Sequence, residues 1–293
     1  MPLIDITVPV IASLLWSLNP AVISKWAKNS PPLLFTSIRA LLAASFLLVV
    51  LALLRTAGLT LGTVAYNTNS LNNTTVLLLI VLSAITGPAI GDAFYVKAIQ
   101  KLGGSLAVVL SYTYIFFTGL FALLLHIEYP TTWMILGGVL AFTGVVVAVS
   151  SNSFTFRITG IAYALLAGVN WGLATVLIRL VRDYVDPVTL SIIRLAIVFL
   201  VMIPLSILFR EARRLSRDLL IATSITGILG WGVGMVLFIY SIYRIGPSLT
   251  AIATALTPVL SQVTTRIIAS EKISPRVFLG SLLVMLGIIS ASL

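Results

Sequence analysis

The sequence contains no cysteine and only one histidine. The absence of cysteine excludes disulfides, thiolate metal sites and cysteine nucleophiles. The single histidine, His126, excludes a metal site built on a histidine pair, so we expect no metal and no cofactor. Charged residues are also scarce: they make up 9% of the 293 residues, whereas a soluble domain carries about 25%. This is too little charge to cover the surface of a water-soluble domain.

Hydrophobic residues are abundant instead and make up 59% of the chain, against about 45–50% in soluble domains. Many lie in continuous runs of the roughly 20 residues that an α-helix needs to cross a bilayer. The strands of a membrane barrel are about ten residues long and alternate polar with apolar residues, which these runs do not do. The composition therefore predicts an all-α, multi-pass protein of the cell membrane, surrounded by the lipid bilayer.

Ten apolar runs predict ten transmembrane helices, and Pro or Gly separates most of them. The predicted spans are 5–27, 33–54, 75–97, 105–126, 131–150, 158–180, 188–209, 219–243, 248–269 and 275–293. The first run lacks a positively charged leader and an A-x-A cleavage site, so we expect it to be retained as a span. The net charge of +10 comes from residues between the runs, a pattern typical of membrane topology rather than of nucleic-acid binding.

Aligning the chain with itself reveals an internal repeat. An offset of 155 residues applies to the first two spans, and an offset of 143 applies from the third span onward. The change falls where the polar loop 55–74 is longer than its counterpart 210–218, so both registers describe one duplication. They align Trp16 with Trp171, Pro32 with Pro187, Arg39 with Arg194, Gly87 with Gly230, Gly91 with Gly234, Gly103 with Gly246, Ser105 with Ser248 and Glu128 with Glu271.

The repeat predicts two halves, 1–150 and 151–293, with five spans in each. An odd number of spans forces the second half to cross the membrane in the opposite sense, which produces two inverted five-helix repeats. Inverted repeats are typical of secondary transporters, whose site lies near the bilayer midplane between the repeats. We therefore expect a secondary active transporter that works by alternating access.

An intramembrane enzyme and a passive channel or scaffold are the alternatives. One histidine cannot supply the H-E-x-x-H motif of a metalloprotease, and Asp92 alone cannot supply the two membrane aspartates of an aspartyl protease. The sequence also lacks a Gly-x4-Gly-Lys loop for ATP. These absences argue against an enzyme, whereas the repeat by itself does not exclude a channel or a scaffold.

Two paired motifs carry a resemblance to a known family. Segments 101–106 and 244–249 share a K/R-hydrophobic-Gly-x-Ser-Leu pattern, and Glu128 and Glu271 follow the fourth and ninth spans. Together with the five-plus-five arrangement, these motifs resemble the drug/metabolite transporter superfamily, in particular its ten-span EamA-type exporters. The resemblance covers essentially the whole chain and implies export of small metabolites, often amino acids, without nucleotide hydrolysis. It leaves drug-like and nucleotide-sugar-type substrates open.

The distribution of positive charge predicts an orientation in the membrane. We call side B the side that holds connections 1–2, 3–4, 5–6, 7–8 and 9–10, and side A the opposite side. Side B carries twelve Lys and Arg (Lys25, Lys28, Lys97, Lys101, Arg157, Arg210, Arg213, Arg214, Arg217, Arg266, Lys272, Arg276) and side A four (Arg55, Arg179, Arg182, Arg244). The positive-inside rule then places side B in the cytoplasm and both termini outside. The family resemblance implies the reverse, since its members usually keep both termini in the cytoplasm.

Charges within the spans mark the candidate site, because charge inside hydrocarbon is costly. Arg39 and Asp92 lie at similar depths from side B, so they form either a structural ion pair or a pair in which Asp92 exchanges a proton or a substrate amine. Arg194 matches Arg39 in the repeat, but Met235 occupies the position that matches Asp92. Arg194 therefore either binds backbone carbonyls or Glu128, or is free to bind a substrate carboxylate.

Aromatic and amide side chains near the centres of the spans complete the candidate site. Central Trp and Asn are unusual at that depth, since Trp gathers at the membrane interface. We expect a cavity for a small molecule, and for protons if they couple to it, between spans 1–4 and 6–9, with spans 5 and 10 outside. The predicted substrate-binding residues are Trp16, Asn19, Arg39, Asp92, Tyr95, Tyr112, Asn170, Trp171, Arg194, Trp231 and Tyr240.

Overall fold

A computed structural model describes residues 3–57, 73–129, 131–149, 158–211, 215–272 and 274–290. These residues fold into helices, and no strand is found among them. We number the helical segments α1 to α10 in chain order. They are Leu3–Trp26, Pro32–Thr56, Thr74–Leu102, Gly104–Leu124, Thr132–Val149, Ile158–Leu180, Pro187–Leu208, Arg217–Ile245, Pro247–Ile268 and Pro275–Ser290.

Eight of these segments are long and apolar enough to cross a membrane: α1 to α4 and α6 to α9. The expectation of an all-α, multi-pass membrane protein is thereby confirmed. The apolar part of α10, Pro275–Gly287, is shorter than a full crossing, and α5 is not among the eight. The count of ten spans stays a prediction.

Two helices contain a wide, π-helical segment at matching places in the repeat. In α3 it covers Ile85–Gly91 and in α8 it covers Thr226–Gly234. In a π-helical turn each N–H bonds the carbonyl five residues earlier, and such turns are frequent at functional sites. Pro88 lies inside the first of them and has no N–H to donate. The carbonyl five residues before it, that of Ser83, therefore lacks this helical partner.

Hydrogen bonds hold four of the connections together at one end of the molecule. The N–H groups of Leu33 and Leu34 at the start of α2 donate to Oε2 of Glu211, which follows α7. Nε2 of Gln100 at the end of α3 donates to the carbonyl of Ser30 at 2.7 Å. Glu271, which follows α9, accepts from the first N–H group of α4 at 2.8 Å. Connections 1–2, 3–4, 7–8 and 9–10 thus lie at one end, the side B of the sequence.

The opposite end is held together in the same way. The hydroxyl of Ser248 at the start of α9 donates to Oε2 of Glu128, which follows α4. The hydroxyl of Tyr243 near the end of α8 donates to the carbonyl of Val185, in the connection between α6 and α7, at 2.9 Å. Connections 4–5, 6–7 and 8–9 therefore lie at the other end, side A.

Close helix crossings bring the two halves into contact. The α1 helix packs on α8 and α9, α6 packs on α3 and α4, and α2 packs on α7. A Cβ atom added to Gly234 would lie 2.8 Å from Nε1 of Trp16, and one added to Gly91 would lie 2.7 Å from Cδ1 of Trp171. Glycine at both positions thus makes room for the indole ring of the opposite half. The remaining two helices, α5 and α10, pack mainly against each other.

Candidate functional site

A cavity of about 730 Å³, part of it open to the outside, lies at the crossing of the eight long helices. The lining comes from α1 to α4 and α6 to α9, the eight spans for which the sequence predicts it. The lining residues are Trp16, Asn19, Arg39, Gly87, Pro88, Asp92, Tyr95, Tyr112, Tyr114, Trp171, Ala174, Thr175, Ile178, Arg194, Trp231, Met235, Phe238 and Thr257.

The cavity contains a buried ion pair. Nη1 of Arg39 on α2 donates to Oδ2 of Asp92 on α3 at 2.5 Å, and both side chains are buried. The guanidinium also stacks on the ring of Trp231, 4.1 Å from its centroid, a contact that stabilises a cation. The structure thus brings together the arginine and the aspartate that the sequence places at equal depth.

The second buried arginine is held differently. Nη2 of Arg194 on α7 donates to the carbonyl of Ser83 at 3.0 Å, the carbonyl that Pro88 leaves without its π-helical bond. Nε of Arg194 has no hydrogen-bond partner. No carboxylate among the described residues pairs with Arg194, and Glu128, one partner that the sequence allowed, binds Ser248 instead. The carbonyl contact that the sequence allowed is therefore observed, but most of the guanidinium donors remain unused.

The two arginines occupy equivalent places against the opposite half. A Cβ atom on Gly230 would lie 3.2 Å from Nη2 of Arg39, and one on Gly87 would lie 2.8 Å from Nη2 of Arg194. Around these matched positions the residues differ. The ion-pair side has Asp92, Asn19 and Trp231, whereas the Arg194 side has Met235, Ala174 and Pro88 at the corresponding repeat positions. The two arginines therefore have matching glycine contacts, but the charges around them differ.

Aromatic pairs form the walls of the cavity. Trp16 packs on Phe238 and Trp171 packs on Tyr95, and the ring centroids are 4.9 Å apart in both pairs. The indole N–H of Trp16 donates to the carbonyl of Gly230 at 2.9 Å, which supplies the partner that a buried indole needs. Tyr114 packs edge-on against Trp171. These walls offer an apolar, shape-selective surface around the two arginines.

Comparisons with known proteins agree with this geometry. The model of the EamA-like transporter family matches residues 4–150 and 158–293. The chain belongs to this family. An "Uncharacterized transporter" of Archaeoglobus fulgidus is 26% identical to this EamA family member over 213 residues, which cover 72% of this chain and 74% of the relative. A solved crystal structure superposes on 100% of this chain and 97% of its own with a TM-score of 0.74 at 17% identity, which shows a shared fold.

Family membership makes the protein a multi-pass membrane transporter of small molecules. It therefore confirms the resemblance that the sequence motifs carry. The name of the family points to a transporter rather than an enzyme.

All predicted site residues except Asn170 and Tyr240 line the cavity. The Asn170 side chain turns back on its own helix, where Nδ2 donates to the carbonyl of Leu166 at 2.8 Å. Tyr240 is 40% exposed on the outer surface of α8. Both residues lie within a few positions of true lining residues, but the turn of the helix points them away from the cavity.

Several lining residues were not predicted from the sequence, although the repeat contains a signal for them. Phe238 matches Tyr95, Thr257 matches Tyr114 and Ala174 matches Asn19 at the offsets of the duplication. All three line the cavity. Transferring the candidates Tyr95 and Asn19 to their repeat partners would have found Phe238 and Ala174, because equivalent positions face a shared central space. Thr257 would not have been found in this way, since Tyr114 is not among the predicted site residues.

Proposed function

We propose that this EamA family member is a secondary active transporter that exports amino acids or similar small metabolites by alternating access. The observation that carries the proposal is Arg194, a buried arginine in the cavity wall with an unpartnered Nε and no carboxylate partner among the described residues. A buried cation without a counter-charge is costly. A substrate carboxylate would neutralise it and bind its planar fork in a bidentate way.

The proposed architecture is ten spans arranged as two inverted repeats, 1–150 and 151–293. Three matched features support it: the π-helical segments of α3 and α8, the close approaches of Trp16 and Trp171, and the exchange of carboxylates between the halves. Glu271 reaches the start of α4, and Glu128 reaches the start of α9, at opposite ends of the molecule. Two such halves can close around one cavity from either end in turn.

The proposed roles of the polar lining residues follow from the asymmetry of charge. Arg194 holds the substrate carboxylate, and Asp92 binds the substrate amine or a proton in competition with Arg39. Asn19 and the ring of Trp231 lie beside the ion pair and contact the polar end of the substrate. The remaining lining residues that the sequence proposes (Trp16, Tyr95, Tyr112, Trp171) contact its apolar body.

Binding by Arg194 variants tests this function. The purified protein is screened in detergent by thermal shift against amino acids, and the hits are tested for uptake into proteoliposomes. Arg194→Ala should weaken binding of carboxylate substrates by about one to two orders of magnitude, since a hydrogen bond to a charged group contributes about 1.5–3 kcal/mol. Arg182→Ala, which removes an exposed arginine paired with Asp183, is the matched control and should bind as the wild type does.

The opposite outcome has a clear meaning. If Arg194→Ala folds, inserts and binds carboxylate substrates with wild-type affinity, Arg194 serves only to hold the carbonyl of Ser83. The amino-acid assignment fails if only uncharged, drug-like compounds or nucleotide sugars stabilise the wild type.

A further inference from the structure

The contact between α1 and α9 is polar, although it lies inside the membrane-spanning region. It continues from the cavity toward side B and includes the start of α4. Nearly all of its side chains are buried. We call this contact the polar seam; it consists of Ser13, Ser17, Ser105, Thr257, Ser261, Gln262, Thr264 and Thr265.

Hydrogen bonds connect the polar seam across the helices. Oγ1 of Thr257, a cavity residue, donates to Oγ of Ser13 at 3.1 Å. One turn further along α9, Oγ of Ser261 donates to the carbonyl of Ser17 at 3.4 Å, and Oγ1 of Thr264 donates to the same carbonyl at 2.5 Å. The seam therefore begins at the cavity and runs along one face of α9.

The seam ends at a carboxylate on side B. The hydroxyls of Ser105 and Thr265 are 2.7 Å apart. Ser105 also donates through its hydroxyl to Oε2 of Glu271 at 2.8 Å. Glu271 lies in the connection between α9 and α10, among the exposed residues of that end. A continuous series of polar groups thus joins the cavity to the membrane surface.

Gln262 lies in the middle of the seam with half of its amide unsatisfied. Its Nε2 donates to the carbonyls of Ser105 and Pro258, both at 3.1 Å. Its Oε1 is fully buried and has no hydrogen-bond partner. Exchanging Oε1 and Nε2 by a 180° rotation of the amide would point Oε1 at the two carbonyls and leave Nε2 without an acceptor. The hydrogen bonds therefore fix the orientation of the Gln262 amide. A buried amide oxygen without a donor is destabilising, unless water reaches it.

The equivalent contact in the other half is closely packed and keeps few of these polar groups. Gly168 and Gly172 of α6 match Ser13 and Ser17, and a Cβ atom on Gly172 would lie 2.8 Å from the backbone N of Thr118. Gly119 matches Gln262. Among the described residues, no side-chain hydrogen bond crosses between α4 and α6, and Thr118 donates to the carbonyl of Tyr114 on its own helix. The fold therefore does not need a polar contact at this place.

We infer that the polar seam is a hydrated path that connects the cavity with side B, and that Gln262 binds water within it. Hydrogen bonds between membrane helices contribute only about 0.6 kcal/mol on average, so stability alone does not explain eight polar side chains in one contact. Water satisfies the free oxygen of Gln262 and the weakly bonded hydroxyls. The α4–α6 contact stays dry, so the cavity communicates with water mainly through one side. This inference rests on the proposed transporter with a central cavity, but not on its substrate.

Single cysteines test the inference, because the native chain contains none. Ser261→Cys and its repeat counterpart Thr118→Cys are reconstituted in liposomes and treated with a small, charged, membrane-impermeant methanethiosulfonate. Thiolates react and thiols in apolar surroundings do not. We expect Ser261→Cys to be modified from side B on the order of tenfold faster than Thr118→Cys is modified from side A. Adding Gln262→Leu should slow the modification of Ser261→Cys, and adding Lys272→Ala at an exposed position should not.

Each outcome is decisive. Equal rates at the two cysteines, or modification of Ser261→Cys only after denaturation, would overturn the hydrated path. If Ser261→Cys does not fold, Thr264→Cys on the same face of α9 replaces it. The experiment needs no substrate, so it tests the hydrated path separately from the proposed function. If Ser261→Cys is not modified but carboxylate binding depends on Arg194, only the hydrated path is rejected. If Ser261→Cys is modified but Arg194→Ala binds carboxylate substrates as the wild type does, only the amino-acid assignment is rejected.

Discussion

Arg39 and Arg194 occupy matching positions of the sequence repeat but have different surroundings in the cavity. Both side chains are buried at equivalent places, next to a glycine of the opposite half. The guanidinium of Arg39 is neutralised by Asp92 and covered by Trp231. Arg194 faces the same cavity with one carbonyl as its partner. The uncompensated charge therefore lies on one side of the cavity, where we propose that it binds an anionic group of the substrate.

The ion pair leads to a prediction at this scale. Asp92→Leu leaves Arg39 buried without a partner and should lower the free energy of unfolding by about 3–5 kcal/mol. Adding Arg39→Met should recover most of this loss, since apolar residues replace a buried ion pair at little cost. Thermal unfolding in detergent measures both effects. The double variant should still lose any dependence of transport on a proton gradient, because Asp92 is the proposed proton site.

Two observations would contradict this interpretation. Losses of stability that simply add between the two substitutions would show that the side chains do not interact. Proton-dependent transport in the folded double variant would exclude Asp92 as the proton site and leave the pair a structural one.

Helix ends and irregular turns position the site at the scale of elements. The π-helical segments of α3 and α8 place Gly87 and Gly230 against the two arginines. Gly103 and Gly246, each directly before the helix that follows, have φ of 82° and 85°, a conformation that glycine adopts without strain. This backbone directs the first N–H groups of α4 toward Glu271, so the carboxylate of one half caps a helix of the other.

The cap of α4 can be tested by substitution. Glu271 accepts from the N–H groups of Gly104 and Ser105 at 2.8 and 3.0 Å. Glu271→Ala should therefore lower the free energy of unfolding by about 1–3 kcal/mol, because these groups lose their acceptor. Lys272→Ala, at the exposed neighbouring residue, is the control and should have no measurable effect. Equal thermal stability of the two variants would show that the carboxylate contributes nothing to this helix end.

The whole molecule has two ends of different charge around one central cavity. Hydrogen bonds group connections 1–2, 3–4, 7–8 and 9–10 at one end and connections 4–5, 6–7 and 8–9 at the other. Successive connections must lie at alternate ends when each helix crosses the membrane once, and these two groups of connections agree with that requirement. Among the described residues, nine Lys and Arg lie near side B and four near side A. We propose from this difference that side B faces the cytoplasm.

Orientation is tested on intact cells with single cysteines at exposed positions of the two ends. Lys28→Cys lies in connection 1–2 and Tyr129→Cys in connection 4–5, and both native side chains are exposed. A membrane-impermeant thiol reagent should modify Tyr129→Cys in intact cells and Lys28→Cys only after lysis, since the positive-inside rule keeps side B in the cytoplasm. The reverse pattern would place both termini in the cytoplasm, as is usual in the family.

The sequence by itself determined the membrane environment, the helices and the duplication. Hydrophobic length and composition are local properties, so they predict a span without knowledge of its neighbours. The depth of a residue also follows from its position along a span, which is why Arg39 and Asp92 were predicted to lie level with each other. The count of spans stays open at α5 and α10, because their described apolar stretches are close to the minimum length. The inverted arrangement of the two halves also stays a prediction.

The tertiary structure decided which face of each helix meets the cavity. Trp171 lines it, but Asn170, one residue earlier, is rotated by about 100° and bonds its own helix. Sequence spacing does not fix this rotation, because nearly every face of a membrane helix is apolar and no polar face marks the inside. The contacts between the halves, such as that of Arg194 with the carbonyl of Ser83, likewise depend on how the helices cross. They join residues more than a hundred positions apart in the chain, so only the folded arrangement brings them together.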